Sequence, residues 1–105
     1  MLSNAYAWIG KLETYDYEEI TIDNTLGGVG LTSTKLTTTA KPKECFITVE
    51  TAPIRYRMDG GAPTSAVGHQ LFPTDSIRID GLKNMENFRA IRISASGKIF
   101  VSYKR

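Results

Sequence analysis

Few side chains in this sequence could do chemistry, and their spacing settles most of the question. The chain has one cysteine, Cys45, and one histidine, His69. Cys45 opens the run CFITVET, in which Cys45, Ile47 and Val49 fall on one face and Phe46, Thr48 and Glu50 on the other. On the inward face a cysteine behaves as a small apolar residue, and with no histidine adjacent nothing activates it as a nucleophile. One cysteine and one histidine do not make a zinc site, and a cupin-like centre needs more histidines than the chain has. His69 therefore reads as a structural residue, hydrogen-bonded at the mouth of a turn. Asp59 lacks the series of oxygen ligands that a calcium loop requires. Gly27, Gly28 and Gly30 lack both the Lys-Ser/Thr ending and the strand-to-helix context of a phosphate-binding loop. We expect no catalytic residue, no metal and no cofactor, and the chain reads as a non-enzyme.

The remaining candidates are groups that bind. Arg55 and Arg57 share one face of an alternating strand, about 7 Å apart. Guanidinium groups so placed can grip carboxylates on a partner or on a neighbouring strand. Glu50 or another acid of the same domain is an equal alternative. Tyr6 and Trp8 (the only Trp) sit in an apolar stretch, Ala5–Ile9, ended by Gly10. Such large side chains need a surface to cover them. Residues 1–16 are therefore either a first strand of the domain or an arm that docks on a neighbouring subunit. Arg55, Arg57, Arg78, Arg89 and Arg92 are spread over three strands and Tyr56 alternates away from them, so nucleic-acid binding is not expected.

The elements that position these residues are strands. Tyr17–Ile22 alternates with Ile20 and Ile22 inward. Leu31–Thr39, rich in Thr and Ser, reads as an exposed strand face with hydroxyls that could also bond a sugar. Cys45–Thr51 is a strand, broken by Pro53 and resumed at Ile54–Met58. Asp59-Gly60-Gly61 is a turn. Asp75–Asp80 alternates, with Ile77 and Ile79 inward. Leu82–Asn87 is a polar loop or one short helical turn. Phe88–Ser94 changes phase, which suggests a β-bulge near Ala90. Lys98–Tyr103 turns Ile99, Val101 and Tyr103 inward. With residues 1–16 counted, about eight short strands recur at roughly 8–12-residue intervals, the pattern of a single antiparallel β-sandwich or small β-barrel, a jelly roll among the options.

Composition agrees with one domain over residues 1–105. Apolar residues make up 41% and the net charge is only +2, too small to imply nucleic acid. The charge is uneven: residues 1–52 carry four lysines against seven acids, and residues 53–105 carry nine basic groups against four acids. Opposite halves of two copies could attract each other, or the two charges are faces of one domain. A single cysteine excludes an internal disulfide and suits a reducing cytoplasm. No apolar run approaches the roughly 20 residues of a membrane span, and the start MLSNAYAWIGKLE has no secretory-leader pattern.

The run FITVETAPIRYRMDGGAPTSAVGHQL (residues 46–71), followed by DSIRIDG, NFRAIR and a closing VSYKR, resembles a group of small proteins encoded in tailed-phage and prophage genomes among virion structural genes. They share the Ile-Arg-Tyr-Arg strand, the Asp-Gly turn, the Pro-Thr step and the Gly-His-x-Leu exit. The resemblance covers about residues 29–104 and brings no residue-level activity with it. It implies a non-enzymatic phage virion protein assembled in the host cytoplasm, foremost a capsid decoration or auxiliary head protein that stabilises the shell. Its partners are then the phage major capsid protein or other virion proteins, and a homo-oligomer is expected. Tyr6, Trp8, Arg55 and Arg57 are the expected interface residues. The rival expectation is a small carbohydrate- or receptor-binding module of a tail or fibre. It requires Tyr15, Tyr17, Phe46 and Phe100 to be exposed and grouped on one surface.

Overall fold

The computed structural model of the chain describes residues 12–37 and 39–105. Among the described residues seven strands form two antiparallel sheets. They are β1 (Thr14–Ile22), β2 (Glu44–Glu50), β3 (Ile54–Arg57), β4 (His69–Leu71), β5 (Ser76–Asp80), β6 (Arg89–Arg92) and β7 (Gly97–Lys104), with one short helix, α1 (Leu82–Asn87). The first sheet has the order β1-β7-β2-β5 and the second β4-β3-β6. Among the described residues no strand pairs across the two sheets, so the fold is a sandwich and not a closed barrel.

Alternation builds the core. Along β7 every second residue (Gly97, Ile99, Val101, Tyr103) is buried, because β7 lies between β1 and β2 with one face on the second sheet. Cys45, Ile47 and Val49 of β2 and Ile79 of β5 continue that layer, and Ile54, Leu71 and Ala90 supply the opposing one. Met85 from α1 and Phe88 just after it are completely buried. Each fully buried aliphatic or aromatic side chain contributes about 1.5–3 kcal/mol relative to exposure. Gly97 sits where β7 passes beneath the link from β2 to β3. A Cβ there would lie 2.6 Å from the Ala52 carbonyl oxygen and 2.8 Å from Ile54 Cγ2, so only glycine fits.

Several expectations need correction. Within the described part of Leu31–Thr39 there is no strand. Ser33–Lys35 form a 3₁₀ turn, and the threonine hydroxyls bond locally, Thr37 Oγ1 to the Thr34 carbonyl at 3.3 Å, as Thr side chains do when they compete with a ladder. His69–Leu71 is a strand that the sequence pattern does not mark, since three residues are too few to show alternation. Leu82–Asn87, read as a polar loop or one short helical turn, is helical, as the second of these expects. The register between β3 and β6 runs without a shift through Ala90. Phe88 and Ala90 are buried on one face of that segment, and Ile91 and Ile93 are half-buried on the other. The bulge is instead in β1, between Thr14 and Asp16. The N-terminal expectation, Tyr6 and Trp8 included, lies outside the described residues apart from residues 12–16, whose last three belong to β1.

Part of the charge asymmetry of the two halves is spent inside the first sheet. Acidic β1 lies beside basic β7, where Lys98 Nζ is 3.3 Å from Glu19 Oε1. Glu44 of β2 lies between Lys104 at 3.5 Å and Arg78 at 3.7 Å. Lys35 Nζ reaches Asp16 Oδ1 at 3.0 Å.

Candidate interaction surfaces

Arg55 and Arg57 are on one face of β3, as their spacing predicts, but their donors turn to the loop that follows. Arg55 donates from Nε to the Ser65 carbonyl at 3.0 Å and from Nη1 to the Gly68 carbonyl at 2.9 Å. Arg57 makes a two-pronged pair with Asp59, 3.0 Å to Oδ1 and 2.6 Å to Oδ2, and reaches the Ala62 carbonyl at 3.4 Å. The acid that meets Arg57 is thus Asp59, two residues on, and not Glu50. Asp59 also accepts the Gly61 N–H at 3.1 Å. The guanidinium, with that N–H second, holds the Asp59 carboxyl down to about 2. The loop closes on itself through Thr64 N–H to Val67 O, 2.9 Å, and the reverse bond, 3.2 Å. Both arginines therefore act as braces that fix the 59–68 loop over the outer face of the second sheet.

A second turn stands beside it. Thr25 N–H donates to Asp23 Oδ1 at 2.9 Å, and Gly28 N–H to the Thr25 carbonyl at 2.9 Å. Gly27 and Gly28 take φ values of +89° and +84°, which side chains disfavour. Val29 then exchanges two backbone bonds with Ala90 of β6, at 2.7 and 2.9 Å. The consequence is that Leu26 is carried on a pinned turn with 98% of its surface exposed. Between this turn and the braced loop lies an open cleft of about 400 Å³, lined mainly by Leu26, Pro63, Ile91, Ile93 and Arg92. Val67 is exposed on the braced loop. A large apolar side chain standing free beside an apolar cleft is a feature of interaction surfaces.

The other surface is the outward face of the first sheet. Tyr17 and Phe46 are 53% and 41% exposed, and Phe100 lies half-buried between their strands. Tyr17 stacks on Phe100 with ring centroids 6.3 Å apart and planes 28° apart. In the ladder, Lys104 lies opposite Glu44, Ser102 opposite Phe46, Phe100 opposite Thr48, and Lys98 opposite Glu50. Tyr17 is not joined by Tyr15. The Tyr15 ring lies under the Arg105 guanidinium, 4.0 Å from its centroid, and its hydroxyl donates to the Ala40 carbonyl at 3.3 Å.

The groups with nucleophilic or titratable chemistry are placed for structure. Cys45 is completely buried, and burial pushes its thiol up to about 12. His69 is exposed, its ring 5.3 Å from that of Tyr56, so it packs on a neighbour instead of the hydrogen bond expected of it. Tyr103, at 0% exposure, donates its hydroxyl to the Glu18 carboxylate, and burial first, then that bond, raises its pKa and keeps the phenol protonated. Glu18 also accepts from Thr32, at 3.3 Å from the backbone N–H and from the hydroxyl as well. Among the described residues no group of three or more His, Cys, Asp or Glu could hold a metal.

The chain matches no protein-family model, no curated protein and no solved structure.

Proposed function

We propose that this chain is a non-enzymatic structural protein of a phage virion, a capsid decoration or auxiliary head protein that binds the assembled shell. The resemblance over residues 29–104 supports the class. The observation that carries the mode of action is the pinned Leu26 turn beside the cleft held by Arg55 and Arg57. It offers an apolar knob beside a recess, and the internal hydrogen bonds that hold both lower the ordering cost of binding. Such a protein stabilises a shell by binding the assembled lattice better than its free subunits. Arg55 and Arg57 act through the loop they brace, and Tyr6 and Trp8 remain candidates for a second contact.

The test is co-sedimentation of the purified protein with assembled particles lacking it. Burying Leu26 contributes about 1.5–3 kcal/mol, so Leu26→Ser weakens binding by roughly 10- to 100-fold. Arg55→Ala/Arg57→Ala weakens it further by freeing the loop. Unchanged binding by Leu26→Ser removes the cleft from the interface, and failure of the unaltered protein to bind particles removes the function.

A carbohydrate- or receptor-binding module of a tail or fibre is the second reading. It is favoured by the grouping of Tyr17, Phe46 and Phe100 on one exposed face. It is weakened by the separate position of Tyr15 and by the internal bonds of Thr32 and Thr37.

A further inference from the structure

We propose that the outer face of the first sheet is a self-association surface, on which a second copy packs face to face about a two-fold axis running along the strands between β2 and β7. The order of the outward side chains carries this. β2 presents Glu44, Phe46, Thr48 and Glu50, and β7 presents Lys98, Phe100, Ser102 and Lys104. Each strand has one sign of charge at both ends and one aromatic and one hydroxyl between. The antiparallel register sets every lysine beside a glutamate and every aromatic beside a hydroxyl.

A two-fold axis along the strands lays each β2 residue over its own ladder partner in the other copy. Glu44 then faces Lys104 of the second copy, and Glu50 faces its Lys98. Phe46 stands over Ser102 and Phe100 over Thr48, so each ring meets a small residue and the two layers interdigitate. The flanking strands obey the same rule. Arg78 of β5 is opposite Phe46 in the ladder, and Tyr17 of β1 is opposite Ser102. The axis therefore sets the Arg78 guanidinium over the Tyr17 ring of the other copy, a cation–π arrangement. Ser76, opposite Thr48, meets Glu19, opposite Phe100. The two-fold axis at right angles to the strands does the reverse. It stacks Lys104 on Lys98 and Glu44 on Glu50, so charge selects the first geometry over the second.

The Glu44 end of the interface becomes a square of four alternating charges, since Lys104 already lies 3.5 Å from Glu44 within one copy; at the other end Lys98, 3.3 Å from Glu19 in its own copy, faces Glu50 of the second. The footprint, about 15 Å across four strands and about 20 Å along four rows, is at the small end of specific interfaces. A weak dimer, with a Kd of tens to hundreds of micromolar, is the expected strength. The cleft belongs to the other sheet and its loops, so a dimer presents two of them and can bridge two shell subunits.

Sedimentation equilibrium of the full chain from about 5 µM to about 1 mM tests the association. The unaltered protein should pass from monomer to dimer. Glu50→Lys and Lys98→Glu, each at an outward position, should each remain monomeric, with Kd raised at least about tenfold. An equimolar mixture of the two should regain the dimer, because each lysine then faces a glutamate. Dilution of the unaltered protein should also shift the ring resonances of Tyr17, Phe46 and Phe100 in NMR spectra. A monomer throughout the range, a dimer untouched by Glu50→Lys, or a mixture that stays monomeric overturns the proposal. Shell binding by a strictly monomeric protein sinks this inference and leaves the virion reading standing. A dimer that ignores particles does the opposite.

Discussion

Replacing Tyr103 by Phe removes one oxygen from the interior and leaves the ring in place. The side chain has no exposed surface, and its hydroxyl donates to Glu18, a half-buried carboxylate on the inward side of β1. No cavity forms, so the usual cost of truncating a core residue does not arise. What disappears is one of three donors to an ionised acceptor, the other two coming from Thr32. A hydrogen bond to a charged group contributes about 1.5–3 kcal/mol, and relief of the hydroxyl's own desolvation offsets a little of it. The expected loss is about 2 kcal/mol, or a fall in Tm of roughly 8–15 °C for a domain of this size. Urea unfolding measures it, with the slope m unchanged. In a Glu18→Gln background the same substitution should cost about half as much, because the acceptor is then neutral. A loss below about 0.5 kcal/mol, or equal losses in the two backgrounds, refutes the assignment of that hydroxyl to Glu18.

Two further outcomes follow from perturbed groups. Asp59 is held at about 2 against an ordinary 3.8, so the loop brace is complete above that ordinary value and is lost as pH falls through about 2. In an NMR titration its carboxyl carbon should move only near that lower value, and Arg57→Ala should bring the midpoint back up toward 3.8; a midpoint that ignores Arg57 contradicts the pairing. Cys45, with its thiol at about 12 and its side chain buried, should resist iodoacetamide at pH 8 in the native protein and react readily in urea. Fast labelling of the folded chain means that β2 opens or lies elsewhere.

The strand layer was legible because its signal is local. Ile20 and Ile22, Cys45 to Val49, and Ile99 to Tyr103 alternate cleanly, and each alternation marks a face that the fold does bury. Thr32 to Thr37 misled because β-branched residues favour strands only when the backbone needs a ladder; here the hydroxyls satisfy Glu18 and the turn's own carbonyls. Arg55 and Arg57 could be assigned to one face, but the acceptors of Arg55 are main-chain carbonyls, which every residue has and no sequence marks. The pairing of Arg57 was readable, since Asp59 follows at two residues in an Asp-Gly turn. Leu26 left a fainter trace, a lone apolar residue beside a glycine pair. The alternation Glu-Phe-Thr-Glu in β2 and Lys-Phe-Ser-Lys in β7 was also there. It acquires meaning only when the register sets the two side by side.

The place of β7 between β1 and β2 has a consequence for how the chain finds this fold. Glu18 and Tyr103, which meet across the β1–β7 seam, are 85 residues apart in sequence. As synthesis proceeds, β1 emerges long before the strand that will cover it, and closing so long a loop makes the pairing late. Through that interval β1 is a naked edge, open to strands of any other nascent chain. Asp16, Glu18 and Glu19 crowd onto it, with Glu13 just before, and like charges repel a second copy of the same segment. The acidity of the first strand thus acts before the fold exists, as a guard on a partner that has not yet been made.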